Sequence, residues 1–285
     1  MHILYFHQYF TLPTGSSGTR SYELAKALVQ AGHSVTMICG EARAGGLENL
    51  PSDERRRWKR GMVDGIDVVA LPVPYSNHDG IARRALLFLR FALRSIRLAL
   101  SEPCDLVFAT STPLTAALPG IAARWLRKKP FVFEVRDLWP ELPRALGMKN
   151  PLLLWGMSLL EWMAYRSCHA AVGLSPGIVE GIRKRSRAHQ PVVMIPNGCD
   201  LELFRPDLRG PLQIDGVQPG DFVAGFTGAH GVANGLDAAL DAAVVLRDRG
   251  ARHIKLLCVG DGKVKDALSR RAAELKLDNC VFLPP

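Results

Sequence analysis

The chain predicts an α/β protein of two Rossmann-like units, the first whole and the second only begun. Three observations predict this. Short apolar runs rich in β-branched and aromatic residues alternate with helical stretches from His2 onward. An irregular, proline-punctuated stretch interrupts the alternation after Ile195. The same alternation then restarts at Phe222 and runs to Pro285.

The elements follow in order. His2–Phe6 is the first strand. Ser21–Ala31 is a helix with Leu24, Leu28 and Ala31 on one face, ended by Gly32. Ser34–Cys39 is a second strand. Residues 41–65 are polar, and the charged run Asp53–Arg60 reads as a solvated surface segment. Val-rich Ile66–Val73 is the third strand, followed by helix 80–101, strand Asp105–Ala109, helix 113–127 and strand Phe131–Val135. After a Pro-containing loop come helix 151–166, strand Ala170–Leu174, a helix from Pro176 to about Arg187, and strand Val192–Ile195. Helices of this length between strands imply βαβ crossovers and a parallel sheet covered on both faces. The domains are therefore 1–196, a linker at 197–221, and a partial second unit at 222–285. That second unit holds strand Phe222–Phe226, helix 234–249, strand Ile254–Val259, helix 263–276 and strand Cys280–Leu283. So few elements leave a sheet face uncovered, which is the expectation of a longer native chain.

Composition narrows the function classes. The apolar run after Met1 is too short for a signal peptide and lacks a basic start, and no stretch approaches about 20 uninterrupted apolar residues. The six cysteines share no C-x-x-C spacing, so a zinc site or disulfide framework is not expected. A net charge of +9 favours phosphate-rich partners: nucleic acid, an anionic membrane or a nucleotide-linked substrate. The basic clusters Arg55–Arg60, Arg124–Lys129 and Arg183–Arg187 are scattered over different elements, without a recognition helix or stacking platform, which argues against nucleic acid.

Ligands of open α/β sheets bind beyond the carboxyl ends of the strands, and four segments fall there. The first, Gly15-Ser-Ser-Gly18-Thr-Arg20, lies between strand and helix; its reading is open between an anion site and a plain turn. The second, Glu134–Glu141, runs from a core strand into acids, an arginine and a tryptophan. It is either a structural ion pair of Arg136 with Asp137 or Glu141, or a cleft for a polyhydroxylated ligand. The third and fourth are the glycine turns Gly225–Gly235 and Gly260–Lys265. At equivalent ends of adjacent strands, they point together to a diphosphate site.

Ile195-Pro-Asn-Gly-Cys-Asp-Leu-Glu-Leu-Phe-Arg-Pro206 resembles the interdomain signature of the group 1 (family 4) glycosyltransferases. Lys255–Pro284 resembles the same family's second domain. Glu134–Glu141 and Gly228–Leu236 are similar to the branch that assembles O-antigen and colanic-acid-type polysaccharides. The resemblance implies a two-domain GT-B fold and a metal-independent transfer, with retained configuration, from a UDP- or GDP-linked sugar to a lipid-linked saccharide. No cofactor is implied. It places Arg136, Asp137 and Glu141 at the reacting sugar, and Gly15, Gly18, Gly228, Gly231, Asn234, Lys263 and Lys265 near the donor diphosphate. Two departures stand out. Ala229 and Asn234 occupy places where many members carry Arg and Lys, and the family's E-x7-E motif would lie beyond Pro285. The expectation is that these residues alone do not turn over. A nucleotide-sugar epimerase of the same fold, or a non-catalytic lipid- or partner-binding fragment, are the alternatives.

Two helices bear on location. Helix 80–101 carries Leu86, Leu89, Leu93, Ile96 and Leu100 as a core-type stripe, with Arg83, Arg90, Arg94 and Arg97 on another side. That basic side is either solvated or faces anionic lipid. Helix 151–166 is apolar nearly all round, capped by Asn150 with Pro151 at its first position, and is either buried or lipid-facing. Together these predict a cytoplasmic protein held peripherally on the inner face of the membrane.

Overall fold

The computed structural model describes residues 1–15, 18–42, 45–53, 58–75, 80–202, 204–205, 207 and 213–285. Ser16, Ser17, Arg55–Arg57, Leu203 and Pro206, each part of a predicted segment, lie outside the described residues. The chain divides into two units, Met1–Gly198 and Cys199–Pro285.

The first unit is built on β1 (His2–Phe6), β2 (Ser34–Ala42), β3 (Ser52–Asp53), β4 (Trp58–Val63), β5 (Ile66–Tyr75), β6 (Leu106–Thr110), β7 (Phe131–Val135), β8 (Ala170–Gly173) and β9 (Val192–Met194). They form one sheet in the order β3-β4-β5-β2-β1-β6-β7-β8-β9. The order runs outward from β1 in one direction and from β6 in the other. The switch point therefore lies between these two strands, the position at which open α/β sheets bind ligands beyond the carboxyl ends.

Alternation along β1 shows why this strand is central. Ile3 and Tyr5 join a core with Tyr22 and Ala25 of helix α1 (Arg20–Gln30) and Met37 of β2. Leu4 and Phe6 point to the opposite face. There they join Phe91 of α2 (Ile81–Ser101), Ile121 of α3 (Ala117–Leu126), Phe131 and Phe133 of β7, and Ile182 of the sixth helix. Side chains of this size stabilise by about 1.5–3 kcal/mol each when fully buried. Of the helices that follow, α4 is Glu141–Ala145, α5 is Pro151–Ser167 and α6 is Pro176–Arg185. Asn150 caps α5 as expected, its side-chain oxygen accepting from the amides of Leu152 and Leu153.

The structure corrects the sequence reading in four places. Part of the polar stretch 41–65 is strand, because β4 pairs antiparallel with β5 and the sheet is mixed. Arg60 of that strand holds Asp67 of β5 at 2.7 Å, so one end of the charged run is ladder rather than solvated coil. The loop after β7 contains α4, and α3 is preceded by a 3-10 turn at Leu114–Ala116. Finally, Leu86, Leu89 and Leu93 of α2 are not core residues. They are exposed, and the buried face is Leu87, Phe91, Ala92, Ser95, Leu98 and Ala99. The two stripes lie about one residue apart on the helix, and 3/4 spacing alone cannot choose between them.

The second unit has parallel strands β10 (Phe222–Thr227), β11 (Ile254–Val259) and β12 (Cys280–Leu283), with α7 (Leu236–Asp248) and α8 (Lys265–Glu274). Leu236, Leu240, Leu268 and Leu277 form its core. Among the described residues no helix is long and apolar enough to cross a membrane.

Candidate functional site

At the switch point, the carboxyl ends of β1, β6 and β7 bring together His7 and Gln8, Ser111 and Thr112, and Arg136 and Asp137. Beneath them Glu134 is wholly buried. Arg20, the first residue of α1, donates from Nε and Nη2 to Glu134 Oε1 at 3.0 and 2.8 Å. The Thr110 hydroxyl donates to the other carboxylate oxygen at 2.6 Å. The same guanidinium also donates to the carbonyls of Ile195 and Pro196, at 2.8 and 2.7 Å. Arg20 thus ties the start of α1 to the core of β7 and to the chain leaving β9.

Arg136 has a different neighbour. Its backbone amide donates to Ser111 Oγ at 2.8 Å, and its Nη1 lies 3.3 Å from His7 Nε2. Among the described residues it forms no ion pair, so the pairing with Asp137 or Glu141 considered from sequence is not made. Burial, reinforced by the Arg136 charge, holds the His7 imidazole well below its ordinary range. Asp137 is half-buried and receives the Thr112 hydroxyl at 3.4 Å. Thr112 has φ +106°, a conformation that costs a β-branched residue energy and that recurs at ligand sites.

The Glu141 carboxylate turns instead to Arg185 of α6, at 3.2 Å. Arg185 also binds the buried Glu161 of α5, which accepts from the Tyr165 hydroxyl at 2.8 Å. Burial raises the Glu161 carboxyl above its usual range, with Tyr165 and Arg185 opposing. Of the three charged residues predicted for the reacting centre, the structure sets Arg136 and Asp137 side by side and engages Glu141 in this α4–α5–α6 cluster.

In the first loop, the Gly15 amide closes a turn on the Leu12 carbonyl, and Gly18 is exposed with open space around its Cα. In the second unit the glycine turns pack on each other. A Cβ on Gly260 would fall 1.9 Å from the Gly228 carbonyl, and one on Gly262 would fall 2.6 Å from that of His230. Gly231 has open space, and Asn234 donates to the Ala229 carbonyl, closing its own turn. Lys265 donates to the carbonyls of Gly260 and Leu283 at 2.6 and 2.9 Å, while Lys263 is exposed. His230 is buried between the rings of Phe226 and Phe282, and burial lowers its basicity.

Sequence reading missed the roles of Arg20 and His230, though both lie in segments singled out above, and those of His7 and Gln8 at the end of β1 and Glu161 within α5. His7-Gln8 directly after a central strand was the available signal, since polar residues at that position need a partner.

Residues 15–198 match the family described as "Glycosyl transferase 4-like domain". No curated protein matches the chain. Among solved structures it is similar to HepE of Anabaena in complex with UDP and glucose, at 16% identity and TM-score 0.62, covering 100% of this chain and 69% of HepE. It is similar to a structure described as trehalose-6-phosphate from E. coli bound with UDP-2-fluoro glucose, at 11% identity and TM-score 0.69, covering 100% of this chain and 74% of that one. It is also similar to WaaG, a glycosyltransferase involved in lipopolysaccharide biosynthesis, at 15% identity and TM-score 0.62, covering 99% of this chain and 70% of WaaG. Likeness at these identities is a likeness of fold, and the fold is of the GT-B type.

Proposed function

The chain belongs to the glycosyl transferase 4-like family, and from that membership we propose that it moves a sugar from a UDP- or GDP-sugar to a lipid-linked saccharide, with retained configuration, in the assembly of a surface polysaccharide. The bond from the anomeric carbon to the donor phosphate oxygen breaks, and a bond to the acceptor oxygen forms. The acceptor hydroxyl's proton leaves with the nucleoside diphosphate. The family match over a switch-point cleft that carries Arg136 and Asp137 is the observation that carries this reading.

In this reading Asp137 and Arg136 contact the transferring sugar, and Glu141 borders them. Gly15 and Gly18 are the phosphate-approaching residues of the first unit, and Gly228, Gly231 and Asn234 those of the second. Lys263 is the better placed of the two lysines to meet the diphosphate, because Lys265 already serves two carbonyls. No metal and no cofactor take part. The leaving charge falls to backbone amides and cations. The test is incubation with a panel of UDP- and GDP-sugars and a lipid-diphosphate-linked saccharide, following nucleotide release and the new anomeric proton by NMR. Transfer with the donor's configuration is expected from a chain that includes an E-x7-E segment, and no turnover from these residues alone; inversion, or no release with any donor by the longer chain, defeats the proposal.

The acceptor's lipid puts the enzyme on the inner face of the cytoplasmic membrane. Support comes from α2 and α5, which both begin at the carboxyl edge of the sheet, beside the cleft. Exposed apolar residues along them include Leu86, Leu89 and Leu93 on α2, and Leu152, Trp155 and Leu159 on α5. Leu93 is 59% exposed and Trp155 64%, a cost in water that lipid would remove. Arg90, Arg94 and Arg97 are also exposed along α2, each contributing about 1 kcal/mol near anionic headgroups. Sedimentation with anionic liposomes at low salt, lost on Leu89→Ser/Leu93→Ser, is the expected result. Equal recovery with neutral and anionic vesicles argues against it.

A further inference from the structure

Three arginines reach the switch-point cleft or its flank, and two are neutralised: Arg20 by Glu134, and Arg185 by Glu141 and Glu161. Arg136 is held by a histidine instead. A guanidinium has donors only, so the 3.3 Å contact requires His7 Nε2 to be the acceptor. The imidazole is then neutral, with its proton on Nδ1. The depressed basicity of His7 agrees with that state. Arg136 is thus oriented without losing its charge, where a carboxylate at position 7 would have cancelled it.

A second observation lies beside the first. The Nδ1 of His7 and both amide atoms of Gln8 are buried and have no hydrogen-bond partner among the described residues. Buried polar groups left unpaired are rare, and a cluster of them at the carboxyl end of the strand beside the switch point marks a place completed by a ligand. Strain at Thr112, across the crevice on the β6 loop, falls at the same spot.

We propose that His7 is the positioning residue that keeps Arg136 as an unneutralised cation for a diphosphate group of the substrate. This rests on the transferase reading, in which both substrates can carry a diphosphate: the nucleotide-sugar and the lipid-linked acceptor. The shared chemistry is the pyrophosphate ester.

The test titrates inorganic pyrophosphate into the full chain by calorimetry at low salt. Arg136→Gln is expected to weaken the tightest binding about ten-fold or more, the effect of losing one charge-assisted contact. His7→Leu and His7→Glu should follow it, while His7→Gln, which restores an acceptor oxygen, should stay within about three-fold of the parent. If His7→Leu does not fold, His7→Gln against His7→Glu decides. Unchanged affinity in Arg136→Gln overturns the anion site. A His7→Glu protein that binds as the parent does, or a His7→Gln protein as weak as Arg136→Gln, overturns the positioning role. In turnover, Arg136→Gln raises the KM of the diphosphate substrate it serves, so the KM that moves identifies donor or acceptor; neither moving overturns the proposal. Absence of transfer by a chain that includes an E-x7-E segment, with Arg136-dependent pyrophosphate binding intact, would sink the transferase reading and leave the anion site standing.

Discussion

The glycine loop of the first unit and the glycine turns of the second read alike in sequence, each a strand, a glycine turn and a helix. Different physics holds them. Around Gly18 there is open space, and the start of α1 is held by Arg20, whose guanidinium bridges buried Glu134 and two carbonyls near the end of the unit. Around Gly260 and Gly262 there is none: these residues let one turn lie against the next, and Lys265 ties the strand ends together. A glycine before a helix can therefore leave room for a ligand or for a neighbouring backbone. Only the surroundings distinguish the two.

The comparison can be broken at Arg20 first, where the largest effect is expected. Arg20→Ala leaves Glu134 charged, buried and held by Thr110 alone, and should cost about 3–5 kcal/mol in urea unfolding. Replacing both partners, as Arg20→Met/Glu134→Leu, should recover much of that loss. If the double variant is no better than the single, the pair does not account for the lost stability.

Next come the glycines. Gly260→Ala forces its Cβ into the Gly228 carbonyl at a φ of +147°, and should destabilise the second unit by about 3 kcal/mol. Gly18→Ala should change stability by less than about 0.5 kcal/mol, with any effect appearing in nucleotide affinity. Similar unfolding costs for the two would erase the distinction.

The lysines sharpen it further. Lys265→Met takes the donor from the Gly260 carbonyl, while that of Leu283 keeps the Gly260 amide, and should cost about 1–2 kcal/mol. Lys263→Met should leave the melting temperature nearly unchanged and weaken binding of a nucleoside diphosphate in calorimetry.

The smallest effect is on pH. His7 and His230, one in each unit, both have basicity lowered in the fold, chiefly by burial. Unfolded, they protonate near pH 6.5; folded, they resist it. The unfolded chain then binds more protons, so stability is full above about pH 6.5 and falls as pH drops below it. Each histidine accounts for about 1 kcal/mol per pH unit there. Melting at pH 5.5 and 7.5 should show the difference shrinking in His230→Leu and in His7→Gln.

Most strands and helices were legible because their period and punctuation are local. β1 to β2, α5 with its Asn150 cap, and the restart at Phe222 all lie where residue spacing puts them. β4 was hidden because its pairing with β5 satisfies a polar strand that has no alternation of its own. The stripe on α2 misled because two leucine registers exist, and only packing against α3 and the sheet decides which is buried. Arg136 and Asp137 could be found from composition at a strand end. Their relation to His7, 129 residues away in sequence, could not.

About the glycine turns themselves, the sequence by itself determined that the backbone bends sharply between strand and helix, because glycine's freedom is a property of one residue. Tertiary structure alone decided which glycines are crowded, which lysine is engaged, and that Arg20 is neutralised while Arg136 is not. Those outcomes depend on strand order, which places β1 between β2 and β6 and brings distant charges within a few ångströms.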